Sequence, residues 1–140
     1  MQERVLALVV HDGALSLQAV KAALQRESVQ IHEAQTRKET ARWLQGFNPP
    51  HLVFTDTALS DGTWSDILRM AQEARDPVDV IVVSSQIDDK LYVDVIQYGA
   101  FDFITPALAA PDLEHVVRCA VWNARSRREA LEAGFLARAA

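Results

Sequence analysis

Four short runs rich in β-branched residues recur along the chain, each followed by a helical pattern, and this alternation constrains the fold more than any other feature. The runs are RVLALVV at 4–10, HLVFT at 51–55, VDVIVVS at 78–84 and FDFIT at 101–105. Each is short and closed by polar residues, which is typical of strands buried on both faces of a parallel sheet. A fifth run, VQIHEA at 29–34, alternates more strongly and fits an edge strand.

Helical periodicity fills the intervals between these runs. The predicted helices cover 15–26, 37–45, 64–74 and 89–98, and a last helix starts at Pro111. Thr36 and Glu39 predict a capping box for the second helix, and proline suits the first position of the last one. The order βαβαβαβαβα predicts one doubly wound parallel α/β sheet with helices on both faces.

The last predicted helix is longer than such a sheet requires. Its core-facing residues end near Ala124, so we expect residues 1–125 to form the domain and 126–140 to form a helical extension or linker. Three interpretations of this extension stay open: a linker in a longer chain, a dimerising helix that would make a homodimer, or a frayed end.

Net charge and apolar content limit the classes of partner that the chain can bind. The formal net charge is −5, which argues against broad binding to nucleic acid or to anionic membranes, because both favour basic surfaces. Three arginines, Arg125, Arg127 and Arg128, are expected to form a solvated helix face. No apolar run approaches the ~20 residues that span a bilayer.

The single cysteine, Cys119, cannot form an internal disulfide, which fits a reducing compartment and predicts a cytoplasmic protein. Because Cys119 lies among valines and alanines, we expect its side chain to be buried as a small apolar group. Three histidines and three tryptophans without a ligand pattern are expected to be surface or packing residues: His32, His51, His115, Trp43, Trp64 and Trp122. Trp64 and Trp122 also fit contact surfaces.

Polar residues follow four of the predicted strands, where ligands gather in open α/β sheets. They are His11 and Asp12, Asp56, Ser84 and Ser85, and Thr105. Two neighbouring carboxylates repel each other unless a cation lies between them. Hard oxygen ligands are what Mg²⁺ takes, so this edge predicts a magnesium site.

Four segments in this order give the chain a family resemblance: VLALVVHD, PPHLVFTDTALSDG, VDVIVVSSQ and GAFDFITP. Together with the helices between them they resemble the receiver domain of bacterial two-component response regulators, over residues 4 to about 124. The resemblance implies a flavodoxin-like five-stranded sheet with strand order 2-1-3-4-5.

The resemblance also implies residue roles. Asp56 matches the aspartate that accepts a phosphoryl group, and Asp12 matches an acid that holds Mg²⁺, with the Ala58 backbone carbonyl as a further ligand. Ser84 matches the switch hydroxyl, and Phe103 matches the switch aromatic ring. Such transfer depends mostly on positioning and on stabilisation of charge by cations.

Three departures from the family pattern weaken the expected chemistry, and the mildest is that Ala58 offers only its backbone carbonyl. His11 stands where the family has a first acid, and a neutral imidazole suits softer metals better than Mg²⁺. Thr105 stands immediately before Pro106, where the family has a lysine. Lys90 follows Ser84 by six residues, and we do not expect it to replace that lysine. The Thr105–Pro106 bond matches one that is cis in the family, and an X-Pro bond tolerates that form.

We therefore expect a signalling domain of phosphorelay signal transduction that is not an enzyme, in which Asp56 accepts a phosphoryl group with impaired or altered chemistry. The implied partners are a sensor histidine kinase or phosphotransfer protein, and a downstream protein that binds the face of helix 4, strand 5 and helix 5. The alternative is a degenerate receiver that binds proteins independently of phosphorylation. A small flavin-binding protein or phosphatase has little support, because no glycine-rich phosphate loop is present.

Overall fold

The computed structural model describes residues 5–105 and 108–139, and their side chains through residue 134. Five strands form the main sheet: β1 (Val5–Val10), β2 (Val29–Ala34), β3 (Leu52–Asp56), β4 (Asp79–Val83) and β5 (Asp102–Ile104). Five helices separate and follow them: α1 (Leu15–Gln25), α2 (Arg37–Leu44), α3 (Trp64–Gln72), α4 (Asp89–Gln97) and α5 (Ala110–Ala139).

All neighbouring strands of the main sheet are parallel, in the order β2-β1-β3-β4-β5. This confirms the predicted α/β class and the strand order 2-1-3-4-5. The alternating run at 29–34 forms edge strand β2, with intermediate or exposed side chains over most of its length. The strand order reverses direction beside β1 and β3, so the carboxyl ends of these two strands meet at the position where open α/β sheets bind ligands.

Two apolar clusters cover the two faces of the sheet. One packs α1 and α5 against side chains such as Val9 and Phe54, and the other packs α2, α3 and α4 against side chains such as Val53 and Val82. Phe54 is fully buried, and full burial of a large apolar side chain contributes about 1.5–3 kcal/mol. Strands β3 and β4 are buried along nearly their whole length because helices cover both of their faces.

Helix α4 is the least buried of the covering helices. Val95 alone among its described residues is fully buried, whereas Tyr92, Val93 and Ile96 are 48%, 48% and 39% exposed. The flanking side chains of Ile87, Tyr98 and Phe101 are also exposed. An apolar surface therefore surrounds α4, and we call these six residues the α4 surface.

Helix α5 continues without a break to Ala139, across the described part of the predicted extension, and the domain boundary at residue 125 stays a prediction. Its buried residues end at Ala124, but the next turn still contacts the sheet. Arg127 donates to the Asp79 carboxylate at 2.6 Å and to the Pro77 carbonyl at 3.2 Å, and Asn123 donates to Asp79 at 3.1 Å. Arg127 is thus an internal contact, although we expected a solvated face.

The prediction for Cys119 is wrong, because its side chain is exposed on α5. Helical periodicity explains the error. Val117, Ala120 and Val121 occupy the buried face of the helix, whereas Cys119, between them in sequence, lies on the opposite face.

His51 is buried at 6% exposure and has a defined partner, since its Nδ1 accepts the Leu6 amide at 2.9 Å. None of the helices that the structure describes is long and apolar enough to cross a membrane.

Candidate functional site

Asp56 ends β3, between β1 and β4, and its side chain is half-buried at the carboxyl edge of the sheet. Its Oδ1 accepts the Thr57 amide at 2.7 Å and lies 3.5 Å from the Thr57 hydroxyl. Within residues 5–105 and 108–139, Oδ2 has no hydrogen-bond partner. One carboxylate oxygen is thus fixed by the local backbone, and the other is open to solvent or to a reactant.

Asp12 follows β1 and is exposed at the same edge of the sheet. The turn after it requires Gly13, whose φ of +82° lies in the left-handed region that side chains disfavour. The Gly13 amide donates to Nδ1 of His11 at 3.1 Å. This short turn holds Asp12 beside the end of β1 and orients the His11 ring.

His11 faces β2, with its Nε2 3.3 Å from the Glu33 carboxylate. Because an amide only donates and a carboxylate only accepts, Nδ1 lacks a proton and Nε2 carries one. Both ring nitrogens are therefore occupied within the chain. His11 replaces an acid in sequence but offers no free lone pair to a metal at the sheet edge.

Glu33 links His11 to α1, because Lys21 also contacts its carboxylate at 3.0 Å. Hydrogen bonds from Lys21 and from His11 hold the pKa of Glu33 below its usual value. One carboxylate thus satisfies both a lysine and a histidine at the β2 side of the edge. Lys21 is directed to Glu33 in this arrangement.

Ser84 follows β4, is 3% exposed, and turns its hydroxyl into its own loop. Its Oγ donates to the Gln86 carbonyl at 2.6 Å and accepts the Gln86 amide at 3.1 Å. The predicted switch hydroxyl is thus next to the site but engaged with the loop before α4. Its switch role stays a prediction.

Phe103 lies in β5, is 7% exposed, and packs edge-on against Tyr92 of α4 with ring centroids 5.7 Å apart. The predicted switch aromatic therefore contacts the α4 surface directly.

Thr105 follows β5 and lines a cleft of about 430 Å³ together with Ser16, Ser84 and Ser85. Pro106 lies outside the described residues, as does the predicted cis bond.

The described residues supply no cation to Asp56. No lysine or arginine among them forms an ion pair with Asp56, and Lys90 is exposed in the first turn of α4. The cleft beside Thr105 is lined by serine hydroxyls and by apolar side chains such as Leu15 and Leu113 instead. The missing lysine is thus not replaced by another side chain in the described part of the chain.

Asp12, Asp56 and the Ala58 carbonyl form the donor set that would hold Mg²⁺ at this edge. Asp56 has an unpartnered carboxylate oxygen, Asp12 is exposed, and Ala58 begins a short hairpin that follows Asp56 directly. In residues 5–105 and 108–139, no group of three or more His, Cys, Asp or Glu side chains is placed to hold a metal. Two carboxylates and one carbonyl still fit Mg²⁺ in kind, because this ion retains several waters and takes few protein ligands.

Our reading of the sequence missed the hairpin formed by Ala58–Leu59 and Gly62–Thr63. Its tip is fixed by Asp61, which accepts the amides of Arg37 and Lys38 at 2.7 and 3.1 Å at the start of α2. A Cβ on Gly62 would lie 2.8 Å from the Arg37 side chain, so glycine permits this approach. The Ser-Asp-Gly run was the available signal, because the loop is residues 60–61 and glycine is favoured immediately after the two central residues of a type I turn.

The carboxyl group of Asp61 has a lowered pKa. The amide of Arg37 is the main cause that holds the pKa of the Asp61 carboxyl below its ordinary value of 3.8, and the Lys38 amide adds to it. Together with Thr36, which accepts the Glu39 amide at 3.0 Å, Asp61 satisfies the first three free amides of α2. Glu39 bonds the Gln35 amide instead of closing the predicted capping box on Thr36.

Comparison with known structures supports the fold. The chain is 23% identical to the signal receiver domain of a protein described as a Luxo repressor from Vibrio parahaemolyticus, with a TM-score of 0.78 over 91% of this chain and 98% of that one. A response regulator receiver domain protein from Clostridium thermocellum is 25% identical, with a TM-score of 0.72 and the same coverage. The phosphorylated cyanobacterial phytochrome response regulator RcpA is 17% identical, with a TM-score of 0.65 over 82% and 89%.

A search of curated proteins by sequence gives no significant match. The family model for the response regulator receiver domain matches residues 7–118, which include all the strand-end residues described above and all of the main sheet except Val5 and Leu6. The chain belongs to the family of response regulator receiver domains.

Proposed function

We propose that this receiver domain accepts a phosphoryl group on Asp56 in a phosphorelay, more slowly than a domain with the full set of charges. The observation that carries this proposal is the Asp56 carboxylate, which is fixed through Oδ1 by the Thr57 amide and has Oδ2 unpartnered in the described residues. A fixed oxygen positions the carboxylate, and an open oxygen lies free to attack phosphorus. The Oδ2–P bond would form as the bond from phosphorus to the donor's leaving atom breaks.

Mg²⁺ belongs to this proposal as the cation that stabilises charge on the transferred group when it is bound. Asp12, Asp56 and the Ala58 carbonyl are the residues that would hold it. His11 contributes nothing to the ion, because Gly13 and Glu33 occupy both of its nitrogens. The site thus combines a weakened cation site with the absence of a lysine, and both features reduce stabilisation of the transition state.

The partners follow from the same proposal. A sensor histidine kinase or a phosphotransfer protein would supply the phosphoryl group, and a downstream protein would bind the face that includes α4, β5 and α5. The chain would act as a cytoplasmic signalling domain and not as an enzyme that turns over a small molecule. The Phe103–Tyr92 contact supports this output face, because it joins β5 to the exposed part of α4.

Mass measurement of the intact chain with a small phosphodonor tests the proposal. We expect a Mg²⁺-dependent gain of one phosphoryl group in the wild type and no gain in Asp56→Asn. In Asp12→Asn, added Mg²⁺ should increase the labelled fraction less than it does in the wild type. A gain that persists in Asp56→Asn would place the modification elsewhere. No gain under conditions that label an ordinary receiver domain would contradict the proposal.

A second candidate function is a protein-binding module that does not depend on phosphate. The exposed α4 surface favours it, since six apolar or aromatic side chains lie there together, and the Ser84 hydroxyl is already satisfied within its loop. Amide NMR spectra of the chain before and after labelling separate the two candidates. Shifts that spread from Asp56 to α4 support the switch, whereas a labelled chain with an unchanged α4 supports the constitutive module.

A further inference from the structure

The chain contains two Asp-Gly pairs, Asp12-Gly13 after β1 and Asp61-Gly62 in the hairpin. In such a pair the glycine amide nitrogen can attack the aspartate side chain and close a five-membered succinimide ring, because glycine has no Cβ to obstruct the approach. The surroundings of the two pairs differ sharply. The structure therefore predicts which of them reacts.

The Asp12-Gly13 pair is free to react. Asp12 and Gly13 are both exposed, and within residues 5–105 and 108–139 the Asp12 carboxylate makes no hydrogen bond or ion pair. A Cβ added to Gly13 would have no atom within 4 Å. Neither residue belongs to a strand or a helix, so no regular hydrogen-bond pattern fixes the peptide between them.

The Asp61-Gly62 pair is held in place. The Asp61 carboxylate oxygens accept the amides of Arg37 and Lys38 at 2.7 and 3.1 Å, so the carbon that would be attacked is fixed. A Cβ on Gly62 would lie 2.8 Å from the Arg37 side chain and 2.8 Å from the Asp66 carboxylate, so this glycine is crowded. The lowered pKa of Asp61 also opposes ring closure, because hydroxide leaves most easily from a protonated carboxyl group.

The Asp12-Gly13 pair also has a base in contact with its nucleophile. The Gly13 amide donates to Nδ1 of His11 at 3.1 Å, and the Glu33 carboxylate lies 3.3 Å from Nε2 of the same ring. A nucleophile, a base and a group that orients the base are the parts of covalent catalysis in enzymes. Because the N–H bond lies in the peptide plane, its contact with His11 leaves both faces of the nitrogen open to the Asp12 side chain.

We propose that Asp12-Gly13 is a self-modification site, at which Asp12 becomes isoaspartate through a succinimide with His11 as the base. The Gly13 nitrogen bonds to the Asp12 side-chain carbonyl carbon, and its proton passes by way of His11 to the hydroxyl group that leaves as water. Water then opens the ring at either carbonyl and gives aspartate or isoaspartate, so no further reactant is required. Isoaspartate displaces the carboxylate at position 12. The resulting loss of a Mg²⁺ ligand rests on the proposed function, whereas the modification itself does not.

Ring opening in heavy-oxygen water tests the proposal, because each passage through the succinimide introduces one oxygen atom from the solvent. The full chain would be incubated without Mg²⁺ or phosphodonor, digested with trypsin in ordinary water and analysed by mass spectrometry. Asp12 and Asp61 then lie in separate peptides. We expect label at Asp12 to accumulate several-fold faster than at Asp61, together with isoaspartate at position 12. Equal or faster labelling of Asp61 would overturn the proposal.

Two controls separate the folded geometry from the local sequence. In concentrated urea Asp12 and Asp61 should react at similar rates, and a preference for Asp12 that persisted there would contradict a cause in the fold. His11→Gln keeps an acceptor for the Gly13 amide but no base. It should slow labelling of Asp12 at least about tenfold, since a placed general base contributes ~10²–10⁴-fold. Unchanged labelling in this variant, with circular dichroism showing that it is folded, would rule out His11 as the base.

Discussion

At the scale of single residues, His11 decides what the sheet edge offers a cation. Its ring is bonded to the Gly13 amide and to Glu33, so it neither carries a negative charge nor presents a free lone pair. The acids left for Mg²⁺ are Asp12 and Asp56. Affinity for such hard cations depends on the number of charged oxygen ligands.

Restoring an acid at position 11 should therefore strengthen the cation site. We expect His11→Asp to lower the Mg²⁺ concentration for half-maximal labelling of Asp56 by roughly tenfold, through one added carboxylate. The measurement is the labelled fraction by intact mass across a Mg²⁺ titration. His11→Asn is the matched control, because it removes the imidazole without adding charge. Equal values for the two variants would show that charge at this position does not limit the metal.

A second single residue, His51, holds β1 to the start of β3. Its Nδ1 accepts the part-buried Leu6 amide, and its own amide donates to the Leu6 carbonyl at 2.9 Å. We expect His51→Leu to lower the free energy of unfolding by about 1–3 kcal/mol, because the Leu6 amide then loses its acceptor. Urea denaturation measures this loss. His51→Asn should retain more stability, since its amide oxygen can replace Nδ1, and equal losses in both variants would point to packing instead.

At the scale of elements, the hairpin after Asp56 is fixed to the beginning of α2 through Asp61. The Asp61 pKa is lowered in the folded chain, so the unfolded chain binds the proton more readily. Its contribution to stability is therefore fully present above the ordinary value of 3.8 and is lost as the pH falls through the lower folded value.

This sign gives a pH-dependent prediction for Asp61→Asn. The variant should have a lower thermal midpoint than the wild type at pH 7, and the gap should narrow only below about pH 4. Scanning calorimetry at stepped pH values measures the gap. Glu132→Gln changes the net charge equally at an exposed position of α5 and should show no gap. A constant Asp61→Asn gap down to the lowest pH would contradict the capping role.

At the scale of the whole molecule, Arg127 joins α5 to the start of β4, at the end of the sheet opposite Asp56. Its guanidinium bonds Asp79 and the Pro77 carbonyl, and both charged side chains are mostly shielded, at 28% and 15% exposure. We expect Arg127→Gln to cost about 1–3 kcal/mol of unfolding free energy, as for hydrogen bonds between charged groups. Urea denaturation beside Arg125→Gln measures it, and equal midpoints for the two variants would contradict the contact.

The main sheet could be predicted from the sequence because four strands are short apolar runs that fit burial on both faces, and the fifth alternates as an edge strand does. The positions of Asp12, Asp56, Ser84 and Thr105 followed from strand ends alone, since parallel strands bring their carboxyl ends to one edge. The orientation of His11 could not be predicted, because it depends on a glycine turn and on Glu33 in a different strand. The burial of Cys119 was wrongly predicted, because apolar neighbours in the sequence do not show which helix face a residue occupies.

The central claim is that Asp56 accepts a phosphoryl group although the chain lacks the family's lysine at position 105. Thr105 stands where the family has its lysine, so Thr105→Lys restores a cation at that position. A time course of intact mass with a small phosphodonor and Mg²⁺ would compare this variant with the wild type and with Asp56→Asn. We predict labelling of the wild type, labelling of Thr105→Lys at least roughly tenfold faster, and none in Asp56→Asn. Labelling of Thr105→Lys with an unlabelled wild type would contradict the claim.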